Sequence, residues 1–111
     1  MIFVTGPLFA GKEDYIRKAL NLDDGAFAAR AVRDVQDLAA GADLDALAEA
    51  LCKKEIVIAT EIGGGVVPVD PAERARREAA GRLACLLARR ANTVIRVCCG
   101  LPQLLKGEWP C

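Results

Sequence analysis

Ile2-Phe3-Val4-Thr5 runs without a break into Gly6-Pro7-Leu8-Phe9-Ala10-Gly11-Lys12-Glu13, and this stretch decides how the rest of the chain is read. A short apolar run that stops at Gly-Pro is how a buried parallel strand entering a loop looks in sequence. Helical spacing begins only after Gly11. Over residues 12–20 it puts Tyr15, Ile16, Ala19 and Leu20 on one face, and Asn21 with Asp23-Asp24-Gly25 stops it. The order is therefore strand, glycine loop, helix, with the glycine spacing and lysine of a P-loop. In such a loop the backbone amides converge on phosphate oxygens at a helix N-terminus, and the lysine neutralises them as a point charge. Gly6, Gly11 and Lys12 are accordingly the candidate nucleotide-phosphate ligands.

Glu13 departs from this pattern, which asks for a serine or threonine hydroxyl to ligate the magnesium that accompanies a nucleotide. A carboxylate can also ligate magnesium, which makes Glu13 the candidate metal residue. Its negative charge beside the phosphate would weaken nucleotide binding unless the metal bridges the two. The plain structural alternative is a glycine loop that only makes a tight turn, with Glu13 favouring the start of the helix.

Downstream, strands and helices alternate. Residues 26–32 are read as a second strand because they follow a turn, although their alanines also suit a helix. Asp34 can cap a short helix to Ala40, Gly41 interrupts it, and Asp43 can cap a segment with Leu44, Leu47, Ala48 and Leu51 on one stripe. Lys53 and Lys54 suit that helix's C-terminus. Residues 56–59, Ile-Val-Ile-Ala, are the clearest buried strand, and Glu61 leaves it ahead of Gly63, Gly64 and Gly65. There Glu61 could orient a water, a metal or a substrate hydroxyl, or be a solvated loop acid. Asp70-Pro71 opens a long helix to about Arg90, with Ala79, Leu83, Leu86 and Leu87 turned inward, and residues 93–97 read as the last strand. Arg74, Arg76, Arg77, Arg82, Arg89 and Arg90 on that helix read as a solvated face, with one of them able to clamp phosphate if it faces the loop. The pattern predicts an α/β fold: a mostly parallel sheet covered by helices, with functional loops at the carboxyl ends of its strands.

With 111 residues, 53% of them apolar, one domain spanning 1–111 is expected. Fifteen basic residues balance 15 acidic ones, and no dense basic cluster suggests a nucleic-acid groove. No apolar run reaches the ~20 residues of a membrane span, and residues 1–4 are too short for a signal peptide, so the cytoplasm is the expected compartment. The five cysteines, Cys52, Cys85, Cys98, Cys99 and Cys111, lack the paired spacing of a zinc site, and there is no histidine. Cys98 and Cys99 could hold a soft metal, but without a histidine or a second cysteine pair they read as small apolar strand residues.

Two segments carry a resemblance. Residues 2–4 with 6–12, and Ala59-Thr60-Glu61-Ile62-Gly63-Gly64-Gly65-Val66-Val67-Pro68, resemble the two signature segments of the adenosylcobinamide kinase/adenosylcobinamide-phosphate guanylyltransferase family. Arg74, Arg77, Glu78, Ala80-Gly81-Arg82, Gly100-Leu101-Pro102 and Lys106 follow its pattern in order, so the likeness covers roughly residues 1–20 and 55–106. The resemblance implies a RecA-like P-loop sheet, shortened here, a homo-oligomer, GTP or ATP with magnesium as cofactor, and a corrinoid as the other partner. It also implies phosphorylation of the cobinamide hydroxyl followed by GMP transfer through a histidine. By the same resemblance Gly6, Gly11 and Lys12 hold nucleotide phosphates, Gly63, Gly64 and Gly65 line the same cleft, and Glu61 is the catalytic candidate. Three departures stand out. There is no histidine to carry GMP; the shortening falls between Leu20 and Ile56, where the family keeps that histidine and another acidic strand end; and the family's Asn-Gln pair falls on Ala84 and Cys85. The expected protein is a nucleotide-binding kinase relative with weak phosphoryl transfer and guanylyl transfer lost, or a catalytically silent member acting as an interaction or regulatory protein.

Overall fold

A computed structural model describes residues 1–62 and 70–110. Its elements are β1 (Ile2–Gly6), α1 (Lys12–Ala19), α2 (Asp24–Arg30), β2 (Ala31–Val32), a 3-10 turn (Val35–Leu38), α3 (Leu44–Leu51), β3 (Ile56–Thr60), α4 (Pro71–Arg90), β4 (Thr93–Cys98) and β5 (Leu101–Lys106). The strands form one five-stranded sheet in the order β2-β3-β1-β4-β5. β1 pairs in parallel with β3 and β4, and β2 pairs in parallel with β3; β5 alone runs antiparallel, against β4.

Side chains alternate across a strand, and both faces here are apolar, as a doubly covered parallel sheet requires. Phe3, Val57 and Val94 lie side by side in register and meet Leu83 and Leu87 of α4, Ala48 and Leu51 of α3, and Val35. Their neighbours Val4, Ile58 and Ile95 point to the other face and meet Ile16 of α1 and Phe27 of α2. The α/β, mostly parallel architecture agrees with the fold class read from the sequence.

Several local expectations hold for the reasons given. Asp43 accepts from the Ala46 N–H and caps α3. Asp70 accepts from the Ala72 N–H at 3.0 Å, ahead of Pro71 in the first turn of α4. Arg76 with Glu73 and Arg82 with Glu78 form pairs one helical turn apart on the solvated face of α4.

Three expectations need correction. Residues 26–32 are mostly helix: the Asp23 carboxylate accepts from the Ala26 N–H at 2.7 Å, the alanines propagate the turn, and only Ala31–Val32 is strand. Asp34 does not cap with its side chain; it sits at φ 57° before a 3-10 turn. β4 is not the last strand, because Cys99 and Gly100, at φ 54° and 74°, turn the chain back into β5. Pro102 is tolerated there because β5 is the sheet edge. Lys106 Nζ donates to the carbonyls of Ala88 (3.1 Å) and Arg89 (2.9 Å), which ties β5 to the C-terminus of α4. Among the described residues no helix is long and apolar enough to cross a membrane. The readings placed on Gly63, Gly64, Gly65 and Cys111 lie outside the described residues.

Candidate functional site

The glycines of the 6–13 loop hold its shape for identifiable reasons. A Cβ on Gly6 would sit 2.1 Å from the Val97 carbonyl oxygen, so this corner of the loop closes directly on β4. Gly11 takes a left-handed φ of 88° at the N-cap of α1. The Gly100 N–H donates to the Ala10 carbonyl at 2.8 Å, docking the loop on the β4–β5 turn. Leu8 and Phe9 at the tip project outward, 65% and 95% exposed.

Lys12 is buried at 8% exposure, and its ammonium donates to the Pro7 carbonyl at 2.7 Å. The lysine thus lies folded beneath the loop that it is expected to serve. Burial pulls its pKa below the usual 10.5, while the nearby carboxylates of Asp34 and then Glu61 oppose that shift. Loop, α1 start and the end of β2 together bound a cleft of about 680 Å³, lined among others by Gly11, Lys12, Glu13, Arg33, Asp34 and Thr60.

Glu13 lines this cleft, but its carboxylate is engaged: both oxygens accept from Arg33 Nη1, at 3.0 and 3.1 Å. Glu61 follows β3, and its N–H donates to the Gly6 carbonyl at 2.8 Å. Its two carboxylate oxygens accept from Arg96 Nε (2.6 Å) and Nη2 (3.0 Å), a bidentate arrangement that raises the guanidinium's pKa. Glu61 lines a separate cavity of about 100 Å³ with Thr5 and Gln36, although its charge still reaches Lys12. The Gln36 side-chain oxygen accepts from the Thr60 N–H at 2.9 Å and fixes the end of β3.

The structure therefore brings together Gly6, Gly11, Lys12 and Glu13, and sets Glu61 behind them beside Arg96. It adds Arg33 and Asp34, which sequence reasoning did not place in the site. Asp34 stands just beyond β2, within the stretch where an acidic strand end was expected to be missing, and it faces the same cleft as Lys12. The available signal was position: Arg33 and Asp34 follow directly on β2 at the carboxyl edge of the sheet, where ligands bind in this architecture. None of the α4 arginines lines the cleft. Among the described residues there is no group of three side chains able to hold a metal ion unaided. Magnesium typically binds through one or two carboxylates plus substrate phosphates, and Asp34 fits that limited role.

The family model described as cobinamide kinase / cobinamide phosphate guanyltransferase matches residues 35–105, a span from the 3-10 turn into β5 that leaves the phosphate loop outside it. No curated protein matches the chain.

Proposed function

The chain belongs to the cobinamide kinase / cobinamide phosphate guanyltransferase family, whose members use nucleotides in cobalamin biosynthesis, and on that premise we propose that it binds a nucleoside triphosphate, GTP or ATP with magnesium, at the 6–13 loop. The observation that carries this reading is Lys12, a desolvated cation held beneath a glycine loop at the start of a helix. Its ammonium exchanges the Pro7 carbonyl for a phosphate oxygen, a charge-assisted and therefore stronger partner, while the amides at the start of α1 take the remaining oxygens. Magnesium, when bound with the nucleotide, would screen phosphate charge, and Asp34, the cleft acid whose charge reaches Lys12, is the candidate to hold it. Glu61, held by two hydrogen bonds from Arg96 at the back of the site, is the candidate to position the hydroxyl of a corrinoid acceptor. Guanylyl transfer is lost, because the sequence has no histidine to carry GMP. The same resemblance supports a homo-oligomer as part of this reading.

A second reading, a catalytically silent binding partner, is favoured by one observation: Glu13 stands where a hydroxyl is expected and both of its oxygens are held by Arg33. Titration calorimetry with GTP and magnesium on the wild type and on Lys12→Ala separates binding from its absence. Heat that disappears with Lys12 supports the nucleotide site, whereas equal heats in both proteins, or none in either, would sink it. Phosphate transfer to cobinamide, followed by mass spectrometry, then separates the kinase from the silent relative. Intact mass after GTP treatment should show no GMP adduct, and a gain of one GMP would redirect attention to Cys98 and Cys99 as nucleophiles.

A further inference from the structure

We infer that Arg33 is a positioning residue that neutralises Glu13, so that a carboxylate can stand at the mouth of an anion site without closing it to nucleoside triphosphates. The inference rests on the phosphate-binding reading of the loop.

Glu13 sits in the first turn of α1, where the positive end of the helix dipole attracts a carboxylate as readily as a phosphate. An unpaired carboxylate there would compete with the ligand for the helix N-terminus and repel it through space. The guanidinium of Arg33 answers both effects. It comes from the end of β2, lines the same cleft, and holds both Glu13 oxygens from a single nitrogen at 3.0 and 3.1 Å. The two side chains together carry no net charge, which leaves Lys12 and the loop amides facing an incoming phosphate, with Asp14 and Asp34 the remaining acids of the cleft.

Exposure argues that this pair does not exist for the sake of the fold. The Arg33 side chain is 62% exposed and that of Glu13 is 36% exposed, and ion pairs this open to solvent add little to folding stability. The pair's effect is local: it sets the charge of the doorway and withholds Glu13 from metal ligation, leaving that role to Asp34.

The test is a double-mutant cycle of the wild type, Arg33→Ala, Glu13→Thr and the double variant, each titrated with GTP and magnesium, with Lys12→Ala as control. Arg33→Ala should weaken binding about fivefold when Glu13 is present and less than about twofold when residue 13 is Thr, because there is then no carboxylate to neutralise. An equal or larger loss in the Thr background would overturn the inference and make Arg33 a direct phosphate ligand. Thermal unfolding midpoints should stay within about 2 °C of one another, as expected for an exposed pair. A large drop for Arg33→Ala alone would instead mark a structural role and likewise overturn it. If the wild type does not bind, or Lys12→Ala binds as well as the wild type, the phosphate reading itself fails. If Lys12→Ala loses binding while the Arg33 effect is the same in both backgrounds, only the present inference fails.

Discussion

Lys12 places binding and stability in opposition within one side chain. Its burial depresses the folded-state pKa, so the charged form is disfavoured on folding. Below that lowered value the unfavourable contribution is fully present, and it fades as pH rises towards the unfolded value near 10.5. Lys12→Met is therefore expected to abolish nucleotide binding without lowering the unfolding midpoint. The stability difference between the two proteins should narrow as pH approaches 10.5, which urea unfolding at several pH values would read; a clearly less stable Lys12→Met would contradict it. Gly6 is constrained differently, by the Val97 carbonyl 2.1 Å from where a Cβ would stand. Gly6→Ala should lower the unfolding free energy by about 2 kcal/mol or more, since backbone cannot move aside as a flexible side chain can. Both residues were legible in sequence because a glycine loop between strand and helix constrains type and spacing together. Arg33 and Asp34 were not, since the value of Arg33 lies in an ion pair with a residue 20 positions away and that of Asp34 in facing Lys12 across a fold.

At the level of elements, those that could be read were those whose signals agree. β1, β3 and β4 are apolar runs, and α3 and α4 pair an aspartate cap with an inward stripe. By its place in the alternation α2 reads as strand in spite of its alanines, and a single carboxylate, that of Asp23, reverses the balance. Asp23→Ala should lower stability by about 1 kcal/mol, visible as a shifted urea midpoint with an unchanged slope; no shift would mean that burial of Phe27, and not the cap, holds α2. β5 is hidden in the sequence for a different reason. Pro102 argues against a strand in general, and Leu101 and Leu105 are exposed at 71% and 53%, so no burial pattern announces the pairing. Register with β4 and the hold of Lys106 on α4 define it instead.

For the molecule as a whole, ligand and fold are linked by mass action. If the loop holds a nucleotide, GTP with magnesium at a hundredfold excess over its dissociation constant should stabilise the protein by about 2.7 kcal/mol. In a domain of this size that corresponds to a rise in melting temperature on the order of 10 °C. Lys12→Met should show none of it, and a matching rise there would mean that the nucleotide sits elsewhere. The strand order has a consequence in time. β1 lies in the middle of the sheet, yet its partners come from residues 56–60 and 93–96. During synthesis one of its edges stays unpaired until residues 56–60 have been made and the other until residues 93–96, an apolar ribbon waiting for neighbours. Recovery of folded protein from cells is therefore expected to depend on growth temperature and chaperone supply even for variants of unchanged folded stability, because the vulnerable interval precedes the fold that those variants share.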